Sequence, residues 1–268
     1  GSGKSHLLKM LALVLENRQI DGASAFDLLV PKCEHNEILR GDLKRAVAIP
    51  SKSILFNIDQ KADVISKTEI DALLSVFVKV FDETCGYYGK QGHIAQFERD
   101  LDSRNQYADF KKAYEDIAKR PWERGREQAL LESANIAAAY ARVTDCNEAD
   151  ARGILDKYRS QHKVSIEDFA GQIKSWLDKK PADFRLNFFV DEIGQYIADN
   201  VKLMTNLQTI AESLATKCRG RAWVIVTAQE EINSIVGEMN KQQSNDFSKI
   251  QDRFKTRMKL TSADVAEV

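Results

Sequence analysis

Gly1-Ser2-Gly3-Lys4-Ser5-His6-Leu7-Leu8 is the stretch whose reading decides the fold. Gly3-Lys4-Ser5 fills the last three places of the phosphate-binding pattern G-x-x-x-x-G-K-[ST], and Leu7 and Leu8 open an apolar period that continues as a helix. The residue types suit the chemistry. Small residues let backbone N–H groups close around phosphate oxygens, a helix N-terminus adds positive potential, Lys4 can reach the outer phosphates, and the Ser5 hydroxyl can ligate Mg²⁺. Gly1, Ser2, Gly3, Lys4, Ser5 and His6 are therefore the candidate nucleotide-binding residues. The first glycine of the pattern, and the strand that should feed the loop, would lie ahead of Gly1, so a segment of a larger protein with its N-terminal strand missing is expected. A Gly-Ser-Gly linker joined to an ordinary helix is the competing reading.

The chain outside this stretch sets broad bounds. Its 268 residues suffice for one large domain or two ordinary ones. Lys plus Arg number 39 against 40 for Asp plus Glu, a net charge of −1, which leaves no global nucleic-acid footprint; a DNA contact would have to be a local patch. Cys33, Cys85, Cys146 and Cys218 are scattered without C-x-x-C spacing, as are His6, His35, His93 and His162, so no zinc pattern is readable and a reducing cytosol is expected. No apolar run has the length of a membrane span and no signal peptide is visible, which points to a cytoplasmic location.

Leu7, Leu8, Met10, Leu11, Val14 and Leu15 recur at near-helical spacing, and Asn17 to Gly22 supplies the stop. Phe26 to Val30 and Ala46 to Pro50 read as short strands around a polar turn, and Ser53 to Asp59 as a core strand. From Thr68 to about Lys180 the periodicity is helical: Ile70, Leu73, Leu74, Phe77, Val78 and Phe81 form one stripe, and Pro121 is placed to open a later helix. Asn147 reads as a helix cap, and Ser165 with Asp168 as a variant capping box. Pro181 punctuates the return to α/β structure. Arg185 to Glu192 is an apolar strand ending in two carboxylates, Ile193 to Lys217 a long helix, and Ala222 to Gln229 a second buried strand with polar residues at its end. The fold class expected is α/β: a P-loop NTPase of AAA+-like type with a parallel sheet and a large helical insertion. Residues 1–65 and 181–268 would form the two parts of the core, and 66–180 the insertion.

A strand ending Asp191-Glu192 is the partner a P-loop requires, because one acid holds the Mg²⁺ shell and the other can polarise the attacking water. Asp191 joins Ser5 as a candidate metal ligand, and Glu192 is the candidate catalytic base. Such a strand could also simply place acids at a favourable helix N-terminus; it is the two motifs in order that favour ATP and Mg²⁺. Thr227 and Gln229, at the end of the next strand, occupy the places of sensor residues that contact the γ-phosphate or water, with ordinary strand-end capping as the alternative. Arg253 and Arg257 follow shortly after that strand, where an arginine could reach a neighbour's γ-phosphate, with a surface or structural arginine as the alternative.

Four runs carry a more specific resemblance: the Gly-Ser-Gly-Lys-Ser-His-Leu-Leu-Lys opening; Ile54-Leu55-Phe56-Asn57-Ile58-Asp59-Gln60-Lys61-Ala62-Asp63; Phe189-Val190-Asp191-Glu192-Ile193-Gly194-Gln195-Tyr196-Ile197; and Gln251-Asp252-Arg253-Phe254 with Leu260 to Val265. Together these resemble the BrxC family, also called PglY, the large P-loop ATPases of BREX bacteriophage-exclusion systems. The resemblance covers the α/β parts and not the helical middle. It implies an AAA+-like ATPase of a defence complex, with a methyltransferase and a phosphatase-like subunit as partners. A homo-oligomer and a local or indirect DNA contact are compatible with it, and no membrane partner is expected. The competing functions are a nucleotide-dependent scaffold whose helical region binds proteins, and a DNA loader resembling origin-recognition ATPases. With the strand ahead of the loop missing, the segment alone is expected to bind ATP weakly or not at all.

Overall fold

The computed structural model describes residues 3–58, 72–193 and 201–227, together with Phe254, Thr256, Met258 and Leu260. The chain divides into two compact units, residues 1–76 with 165–268 and residues 77–164. Among the described residues no helix is long and apolar enough to cross a membrane.

The first unit is built on a parallel sheet. Helix α1 (Lys4–Leu15) is followed by a small hairpin of β1 (Gln19–Ile20) and β2 (Ala23–Ser24). Its two linking residues, Asp21 and Gly22, have φ of 49° and 87°, the paired positive dihedrals that match the twist of a two-residue hairpin. The next segment differs from the sequence expectation. Phe26 to Val30 lies in helix α2 (Ala25–Leu29) and the 3-10 turn after it, and Ala46 and Val47 end helix α3 (Glu37–Val47). Local caps decide this: the Ser24 side chain accepts from Asp27 N, and the Asn36 side chain from Leu39 N, each satisfying a first-turn donor that a strand would not present.

Strands β3 (Ser51–Asn57), β4 (Arg185–Asp191) and β5 (Ala222–Val226) form the sheet in the order β3-β4-β5, all parallel. Parallel neighbours need long crossovers. The β4 to β5 connection contains helix α12 (Val201–Cys218), and the β3 to β4 connection contains the second unit and then helix α11 (Ile166–Asp178). Strand β4 is buried from Leu186 to Val190, the near-continuous apolar run of a strand covered on both faces. Phe189 packs with Leu8 and Ala12 of α1, while its neighbour Phe188, on the opposite face, lies 6.2 Å ring to ring from Phe169 of α11. Helix α1 is also clamped to β3. Glu16, just past its end, accepts from Lys52 Nζ and Ser53 N, both at 2.9 Å. Burial pushes the Glu16 carboxyl up, but these bonds and one from Arg18 outweigh it and hold the group below its ordinary value.

The second unit is helical. The end of α4 (Ala72–Cys85) leads into α5 (Gly92–Ser103), α6 (Tyr107–Ala118), the short α7 (Trp122–Gly125), α8 (Ser133–Thr144), α9 (Glu148–Ala151) and α10 (Ile154–Gln161). Asn147 caps as expected, but the helix it opens stops at Ala151, and Gly153 at φ 69° starts α10 afresh. The core is aromatic: Phe97 meets Phe110, and Phe110 meets Trp122, edge to face at 5.1 Å each. Gly125 is required here by contact, because a Cβ on it would fall 2.0 Å from Tyr114 Oη. Tyr114 is fully buried and its hydroxyl is fixed at 2.7 Å to Glu132, so it cannot swing aside. Gly125→Ala is expected to destabilise this unit by about 1–3 kcal/mol, measured as a shift in the denaturant midpoint; an unchanged midpoint would show that Tyr114 relaxes freely.

This unit is narrower than the 66–180 insertion read from the periodicity. Helix α11 opens with the expected capping box of Ser165 and Asp168, yet it groups with the sheet unit, packing beside α12 and against Phe188. An apolar stripe shows that a helix is buried on one side and does not show against what.

Candidate functional site

The register of the sheet brings three strand ends to one edge. Asn57 pairs with Asp191 across β3 and β4, and Val190 pairs with Val226, so Thr227 follows directly beside the acids. That carboxyl edge is where ligands bind in open parallel sheets. Helix α1 starts at the same edge. Its cap residue Gly3 sits at φ 72°, ψ −4°, a left-handed conformation glycine adopts without cost, and as a glycine it supplies no side-chain cap to the first-turn N–H groups. The N-terminus of an α-helix of 12 residues presents positive potential to an anion.

Ser5, in the first turn, donates from Oγ to Asp191 Oδ1 at 3.0 Å, joining residues 186 positions apart. Thr227 Oγ1 donates to the same carboxylate oxygen at 2.6 Å. Thr227 also accepts at Oγ1 from the backbone N–H of Glu192 at 3.0 Å, and its own N–H donates to Val190 O at 3.0 Å. Glu192 stands at φ 58°, a left-handed conformation that costs a non-glycine residue about 1–3 kcal/mol. Its carboxylate accepts at Oε2 from Asn57 Nδ2 at 2.7 Å. Five residues from four separate parts of the chain thus form one hydrogen-bonded chain, Ser5–Asp191–Thr227–Glu192–Asn57.

The sequence-derived candidates divide accordingly. Ser5, Asp191, Glu192 and Thr227 are brought together, and Lys4 stands next to Ser5 at the first position of α1. His6 is exposed. Gly1, Ser2, Gln229, Arg253 and Arg257 lie outside the described residues, as does the stretch from Asp59 to Asp63. Asn57 is the site residue that sequence reasoning missed. A polar side chain at the carboxyl end of a core strand, the signal that marks Thr227, marks Asn57 equally.

The donor set fits Mg²⁺. It is one carboxylate and one hydroxyl at a helix N-terminus, the hard oxygen donors that Mg²⁺ takes. No known protein-family signature matches the chain, and no solved structure gives a significant match to it.

Proposed function

We propose that the protein is a P-loop ATPase of AAA+-like type, and that the contact between Ser5 and Asp191 carries the reading. A loop serine and a strand-end aspartate meeting at 3.0 Å at a helix N-terminus is the arrangement a metal-bound triphosphate needs. Three parallel strands with the acidic pair on the central one are compatible with this reading. In it, the first-turn N–H groups of α1 and the Lys4 ammonium bind the phosphates, and Ser5 and Asp191 hold the metal, which when bound neutralises charge on the transferring phosphoryl group. Glu192 takes the proton of the attacking water, and Asn57 fixes where its carboxylate points. Placement in a cytoplasmic BREX defence complex, with methyltransferase and phosphatase-like partners, rests on the sequence resemblance alone.

Calorimetric titration of the intact protein with Mg-ATP tests the reading. Wild type should bind, and Lys4→Ala should abolish measurable binding, because it removes the one full positive charge the loop contributes. Equal binding by both proteins, or none by wild type, overturns it.

A further inference from the structure

We propose that Thr227 is a positioning residue that works through Glu192: its hydroxyl ties the metal-side acid to the base-side residue and holds the strained turn between them. The proposal rests on the ATPase reading and names a role that reading does not contain, since a sensor would touch the phosphate or the water itself.

The hydroxyl has one proton to donate, and it goes to Asp191 Oδ1 at 2.6 Å. One of its two acceptor lone pairs takes the Glu192 N–H at 3.0 Å. The only proton is therefore committed within the protein, which leaves none to donate to a phosphate oxygen, and the two bonds run to consecutive residues of one turn. That turn needs holding, because Glu192 is left-handed at φ 58° and such a conformation persists only where its surroundings fix it. Two contacts do so from opposite sides: Thr227 grips the Glu192 backbone, and Asn57 grips its carboxylate at 2.7 Å. Thr227 is itself anchored through its N–H to Val190 O, one residue ahead of Asp191, so hydroxyl and turn are referred to the same strand. Ser5 shares the Asp191 oxygen. The alignment of Glu192 is thus linked, atom by atom, to the helix that carries the phosphate loop.

The test uses the intact protein and three variants: Thr227→Val, which keeps the shape without the hydroxyl; Thr227→Ser, which keeps the hydroxyl; and Thr227→Val combined with Glu192→Gln. Thr227→Val should lower kcat by about 10- to 100-fold, the scale of a misplaced catalytic group, with the affinities for ADP and ATPγS both unchanged. Thr227→Ser should restore turnover, and Thr227→Val should add no further loss to Glu192→Gln. A selective loss of ATPγS affinity, or a further loss in the Glu192→Gln background, means direct contact with the phosphate or water and overturns the proposal. A readout without turnover is the amide exchange of Glu192 in nucleotide-free protein, which should accelerate at least about tenfold in Thr227→Val when the N–H loses its acceptor. Unchanged exchange overturns the proposal too. A wild type that binds ATP without hydrolysing it overturns the ATPase reading instead, and the exchange measurement then decides the fate of Thr227 by itself.

Discussion

Glu192→Gln is expected to bind Mg-ATP as wild type does and to hydrolyse it about 10²- to 10⁴-fold more slowly, the contribution of a positioned general base. The substitution isolates basicity. Glutamine has the length of glutamate, and its carbonyl oxygen can still accept from Asn57 Nδ2, as Glu192 Oε2 does at 2.7 Å. The backbone bond to Thr227 involves no side-chain atom of residue 192 and survives as well. Ser5 and Asp191, 3.0 Å apart, keep the metal-side contact. What disappears is the ability to take a proton from water. Single-turnover hydrolysis beside calorimetric binding separates the two effects. Wild-type turnover in the variant would remove Glu192 from its role, and a parallel loss of binding would show it to be part of the nucleotide cradle instead.

The parts of this site that sequence reveals are those whose chemistry is local. Gly3-Lys4-Ser5 and Asp191-Glu192 are short motifs in which residue type and spacing carry the meaning, and the structure joins Ser5 to Asp191. Strands β3, β4 and β5 were legible because a buried parallel strand is an apolar, β-branched run, and only their ends moved: Ser53–Asp59 became Ser51–Asn57, and Ala222–Gln229 became Ala222–Val226. Where runs are short the same signal fails. Phe26-Asp27-Leu28-Leu29-Val30 suits either element, and the side-chain caps at Ser24 and Asn36 tip the segment to helix. The pairing of Asn57 with Glu192 is hidden for a different reason. The two lie 135 residues apart, and only the register Asn57↔Asp191 brings them together. Sequence alone does not give a register between strands separated by a whole helical unit.

The largest effect on stability is expected from Glu98→Leu, in the helical unit. Glu98 is wholly buried and accepts from Arg126 Nη1 at 2.9 Å, Trp122 Nε1 at 2.7 Å, Tyr107 Oη at 3.0 Å and the backbone N–H of Tyr88. One carboxylate therefore satisfies donors from α6, α7 and the two turns that flank α5 and α7. Arg126→Met would strand the carboxylate without its ion-pair partner, a loss of about 3–5 kcal/mol, but three donors would still solvate it. Glu98→Leu removes the acceptor from all four. Arg126, at 17% side-chain exposure, can turn toward water, while the Trp122 and Tyr107 donors and the Tyr88 N–H stay behind. Three stranded donors at about 1–3 kcal/mol each amount to about 3–9 kcal/mol, comparable to the whole stability of a domain at about 5–15 kcal/mol. The order expected from denaturant unfolding of the second unit is therefore wild type, then Arg126→Met, then Glu98→Leu. If Glu98→Leu instead matches or exceeds wild type, apolar packing at this position outweighs the network, and the buried carboxylate must be explained by something other than stability.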